Sequence, residues 1–187
     1  MRILIPTAVF LVGLSLALSA FEEGPYPNVT GGFGEESCHT CHLDNPVNAP
    51  GGTLNISGVP PAYAPGQTYD ITVGVARGGL RRGGFELSAR YASGKQRGRQ
   101  AGSWRLPDAR MQIVPSQVDP ALQFVQHTLT GTRAAMRGQL SWTVRWIAPT
   151  TGGPVQFNAA GNASNDDDSP LGDYIYLKTS RTVPQNP

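Results

Sequence analysis

Two thiols three positions apart are followed at once by an imidazole, in the run Cys38-His39-Thr40-Cys41-His42. These are the chain's 2 cysteines, and two of its 3 histidines lie in the same run. Thiols at this spacing can add across the two vinyl groups of a haem, and the adjoining imidazole then meets the iron from the same turn. The run therefore predicts one covalently attached haem c. Cys38 and Cys41 are the expected thioether residues, and His42, a strong neutral donor, is the expected proximal iron ligand.

Other chemistries use Cys-x-x-Cys. A thioredoxin-like dithiol needs a strand before it and a helix after it. Here the flanks are Gly31-Gly32-Phe33-Gly34 and Asn45-Pro46. A zinc site needs four ligands, and only His39, His42 and His127 could join the two thiolates. A local disulfide is awkward at this spacing and leaves His42 without a role.

A sixth iron ligand must come from His39, His127, Met111 or Met136. His39 is tethered to the attachment loop and cannot easily swing to the opposite side of the ring. His127 ends the apolar stretch Phe124-Val125-Gln126-His127 and is the expected distal ligand. Met111 is the runner-up, Met136 falls in a loop, and either methionine can serve as packing. Two imidazoles favour a low potential, and imidazole with thioether a higher one. An open sixth position would suggest gas binding or peroxidase-type chemistry.

The elements that must position these residues begin after a leader. Arg2, the apolar run from Ile3 to Leu18, and Ser19-Ala20 read as a secretory signal peptide over residues 1–20. The rest of the chain is then expected in the periplasm or at the cell surface. Membrane contact is expected only if the leader is retained. The formal net charge of +2 gives no general reason to expect nucleic acid as a partner. With 23 Gly and 16 Pro among 187 residues, turns are many and long helices few.

Residues 21–52 lack periodicity and form the expected irregular haem-attachment segment. From residue 53 onward, period-two alternation takes over. Tyr69, Ile71, Val73 and Val75 share one face; Phe85, Leu87, Ala89 and Tyr91 alternate with Glu86, Ser88 and Arg90. Leu140, Trp142, Val144 and Trp146 do the same, as do Val155, Phe157 and Ala159, and residues 173–178 follow. Weaker candidates are 111–114 and 121–127. Such alternation marks half-buried strands. The expected fold is all-β, an immunoglobulin-like two-sheet β-sandwich preceded by the irregular segment.

Residues 53–182 also resemble the reelin-type (reeler) domain, particularly its bacterial relatives called choice-of-anchor V domains. The matching pieces are Tyr63-Ala64-Pro65-Gly66-Gln67-Thr68-Tyr69, Gly84-Phe85-Glu86-Leu87, Gln126-His127-Thr128, the stretch from Trp142 to Pro149, Phe157 to Ala163, and Gly172 to Tyr176. The resemblance implies an immunoglobulin-like sandwich. It implies that a Cys-x-x-Cys-His segment can precede it, that the His of the Gln-His-Thr piece recurs in such relatives, and that no enzyme activity comes with the fold.

Two charged stretches complete the inventory. Residues 77–110 carry nine basic side chains (Arg77, Arg81, Arg82, Arg90, Lys95, Arg97, Arg99, Arg105 and Arg110), either a docking face for an acidic partner or haem propionates, or a solvated loop. Asn162 and the run Asn165 to Ser169 form an acidic loop, open to calcium or to plain turn chemistry. No Ser-His-Asp or paired-carboxylate arrangement stands out, so no enzyme is expected. The expected function is an exported monohaem c-type cytochrome, transferring electrons or serving cell-surface redox chemistry, with redox proteins, including other cytochromes, as partners. Two alternatives stay open: an adhesion or binding module with structural haem, and a haem-based ligand sensor.

Overall fold

The computed structural model describes residues 23–185, so the expected leader lies outside the described residues. The described residues form strands joined by turns and three short 3-10 segments. Ten strands run in chain order: β1 (Gly52–Ser57), β2 (Ala62–Tyr63), β3 (Thr68–Arg77), β4 (Arg82–Tyr91), β5 (Ser103–Arg105), β6 (Met111–Pro115), β7 (Gln123–His127), β8 (Gln139–Ile147), β9 (Val155–Ser164) and β10 (Tyr174–Pro184). One sheet has the order β1-β3-β8-β5, and the other β2-β10-β9-β4-β7-β6. All pairings are antiparallel except the short β2–β10 pair. The fold is an all-β, two-sheet sandwich, as the alternation predicts. No helix among the described residues is long and apolar enough to cross a membrane.

The core fills the space between the sheets. Along the β3–β8 register Tyr69 lies opposite Trp146, Ile71 opposite Val144, Val73 opposite Trp142 and Val75 opposite Leu140. From the second sheet, Phe85 stacks on Trp142 at 4.5 Å between ring centroids. Phe157 sits edge-on to Trp146 at 4.9 Å. Both indole N–H groups donate to backbone carbonyls, Trp142 to Gly131 and Trp146 to Ala101, so neither polar atom is stranded by burial.

The alternation on β4 misleads on one point. Glu86, Ser88 and Arg90 occupy the face away from the core, yet all three are buried. The irregular segment before β1 covers them. Val29 N–H donates to Glu86 Oε2 at 2.6 Å, and Glu35 forms an ion pair with Arg90. Glu35 also accepts from Asn28 and Thr30. Further along, Asn45 donates to the Asp173 carbonyl and Asn48 N–H to the Ile175 carbonyl. β4 is thus buried on both faces, and on the outer one Glu86 is hydrogen-bonded and Arg90 is paired.

Arg90 is accordingly no part of an exposed basic face. Three more of the basic residues of 77–110 have partners, while Arg81, Lys95, Arg97, Arg99 and Arg105 are exposed. Arg77 lies over the Tyr174 ring and donates to the Tyr176 hydroxyl at 2.6 Å, Arg82 pairs with Asp166, and Arg110 donates to the Ser141 carbonyl.

Candidate functional site

Cys38–Thr40 form a single 3-10 turn, capped by the Ser37 hydroxyl accepting from His39 N–H. His42 N–H donates back to the Cys38 carbonyl, so the motif closes on itself and presents its side chains from one compact turn. The turn sits over one end of the six-stranded sheet. Between it and the sheet lies a cavity of about 360 Å³. Pro25 to Val29 and the motif residues Cys38, Cys41 and His42 line one part of its wall. The strand ends Arg82-Gly83-Gly84, His127, Asn162 and Asp173 line another, and Asp166, Asp168 and Ser169 of the acidic loop reach its edge.

The two imidazoles are held differently. His42 Nδ1 lies 2.9 Å from Asp173 Oδ2, and that carboxylate oxygen also accepts from Asn162 Nδ2 at 2.9 Å. His127 Nδ1 lies 3.0 Å from Phe85 N and 3.2 Å from Phe85 O. β7 pairs with β4 only at Gln126 and Val125, so the ring of His127 takes over the backbone groups that the next ladder position would have used. Protonated on Nδ1, His42 donates to Asp173 Oδ2 and carries its lone pair on Nε2, whereas His127 Nδ1 accepts from Phe85 N–H.

Two titratable groups beside the cavity are shifted. Burial raises Glu86 to about 8, and the Glu35 charge adds to this, against the hydrogen bonds from Gln126 and Val29. Burial also pushes the Cys38 thiol up, helped by the charge of Glu86. Cys41 is exposed. Among the described residues no three His, Cys, Asp or Glu side chains gather closely enough to hold a bare metal ion.

Against known proteins, no family model matches the chain, and no curated protein matches it. Solved structures do. The Reelin-N domain of F-spondin is 21% identical with a TM-score of 0.50, over 80% of this chain and 96% of that one. The human F-spondin reeler domain is 24% identical with a TM-score of 0.49, over 75% and 93%.

The fold is reeler-like.

Within this reeler-like sandwich, Cys38, Cys41, His42 and His127 come together around one cavity. Met111 does not join them. It stands directly opposite His127 in the β6–β7 register but is buried in the core cluster, outside the cavity lining. Met136 is exposed on a distant loop, and His39 Nε2 engages the Asn45 carbonyl. In the acidic loop, Asn165, Asp167 and Ser169 bond one another and their backbone neighbours, which is turn chemistry.

Three residues of the site carry no haem-site role from the sequence alone. Asp173 and Asn162 stand in strand-like pieces without a local sign that they meet His42. Gly84 is the third: a Cβ there would lie 2.8 and 2.9 Å from the two ring nitrogens of His127. The Gly83-Gly84 pair inside a strand pattern is the signal that something approaches the backbone closely.

Proposed function

We propose that this chain is an exported monohaem c-type cytochrome that passes electrons. The observation that carries the reading is the shared cavity: both cysteines of the motif, His42 and the far-removed His127 line the same space. The residues fit the group. Cys38 and Cys41 would hold it covalently, and His42 and His127 would supply the axial nitrogens. Gly84 leaves the room that the distal imidazole fills. Arg82 is the cation on the cavity wall, suited to a propionate.

When bound, a c-type haem supplies a reversible one-electron centre whose potential is set by its axial ligands and their hydrogen bonds. The chain's own residues orient the two imidazoles, through Asp173 and Phe85, and keep apolar walls around the centre. Cys41 and Tyr26 at the rim are exposed, which favours a site that a redox partner, including another cytochrome, can approach from solvent. Residues 1–20, read as a leader, agree with haem attachment outside the cytoplasm, at the periplasm or cell surface.

A second reading rests on the position of the cavity between the irregular segment and the sheet. A group bonded to Cys38, Cys41 and His127 would also staple that segment in place, serving a binding module. Film voltammetry on the haem-matured protein separates the two. The electron-transfer reading expects a fast, reversible one-electron wave; covalent haem without such a wave would leave the structural role standing, and no covalent haem would end both.

A further inference from the structure

Asp173 precedes the last strand and is 2% exposed. Its Oδ2 takes two hydrogen bonds, from His42 Nδ1 and Asn162 Nδ2, while Oδ1 and the Asn162 Oδ1 are buried without a hydrogen-bond partner. A buried acceptor left without a hydrogen bond is destabilising, so sandwich packing gives no reason to keep two of them at one spot. Their common neighbour is His42, and both residues line the cavity.

We propose that Asp173 is the positioning residue for His42, with Asn162 fixing the orientation of its carboxylate. Asp173 accepts the Nδ1 proton, holds that tautomer and leaves Nε2 as the donor nitrogen. His127 Nδ1 instead accepts from the backbone N–H of Phe85. The two imidazoles are therefore held by different groups, His42 by a carboxylate and His127 by a backbone amide. The consequence for iron rests on the haem reading above, whereas the hydrogen bond itself does not.

The near-isosteric variant Asp173→Asn tests this in two ways. In a redox titration of the haem-loaded full chain, its midpoint should move positive by about 59 mV or more, a tenfold loss of preference for the oxidised state. In the full chain kept haem-free by Cys38→Ser and Cys41→Ser, nitrogen NMR at about pH 9, above the ordinary imidazole range, reads the tautomer directly. There His42 should be protonated on Nδ1 with Asp173 and should lose that preference with Asn, while His127 stays unchanged. An unmoved midpoint, or a His42 protonated on Nε2 in the presence of Asp173, overturns the proposal. Should the variant not fold, the tautomer in the chain that keeps Asp173 decides alone. Should the wild type take up no haem, the haem reading fails and the tautomer still decides the role of Asp173.

Discussion

An imidazole ligand needs its ring plane held as much as its nitrogen aimed. At His127 the hold comes from Gly84, whose bare Cα lets the ring lie close to the strand. Gly84→Ala should push the ring away, since the added methyl would overlap it, and such overpacking costs about 1–3 kcal/mol of stability. In the haem-matured protein the low-spin fraction of the ferric spectrum should fall; a spectrum identical to wild type would show that His127 is not seated there as a ligand. The motif cysteines and His42 are legible from spacing alone, because the chemistry demands adjacency. Asp173 is not, because its partner lies far away in sequence and its surroundings read as an ordinary strand start.

The element that closes the site is the irregular segment before β1, held on the six-stranded sheet by hydrogen bonds and by the buried Glu35–Arg90 ion pair. Glu35→Ala would leave Arg90 buried without its carboxylate, at a cost of about 3–5 kcal/mol. The segment should then become the first place cut in limited proteolysis, and cleavage no faster than in wild type would contradict the latch. Glu86, under the same segment, gives a pH dependence of definite sign. Its folded-state value is raised to about 8 from an ordinary 4.5, so the folded protein holds a proton that the unfolded chain has released across that window. Stability should fall as pH rises from about 4.5 to 8 and level off above. Glu86→Gln should flatten that slope in thermal melts, with Gln126 turning its amide to complete the hydrogen bonds. This covering layer was hidden from sequence reasoning for a physical reason. Alternating polar residues on β4 look the same whether water or an aperiodic segment lies over them.

At the scale of the whole molecule, the sandwich is what fixes the cavity, since its walls are strand ends. Seven strands announce themselves through alternation, while β1, β2 and β5 are short or rich in polar residues and do not. The core reaches the site through Phe85, which stacks on Trp142 with its ring and meets His127 with its backbone. Trp142→Ala should therefore cost about 3–5 kcal/mol, lower Tm by about 10 °C, and loosen His127 as well. Melting together with the low-spin fraction checks both; a large loss of Tm with an intact low-spin spectrum would uncouple core from site. We propose one covalent haem held between His42 and His127. Visible spectra of the full chain, matured in a host with haem-attachment machinery, test it most directly as wild type and as His127→Ala. A covalent low-spin haem that turns high-spin in the variant is the expected result. A low-spin spectrum indifferent to the substitution would remove His127 from the iron, and no covalent haem in either protein would contradict the account itself.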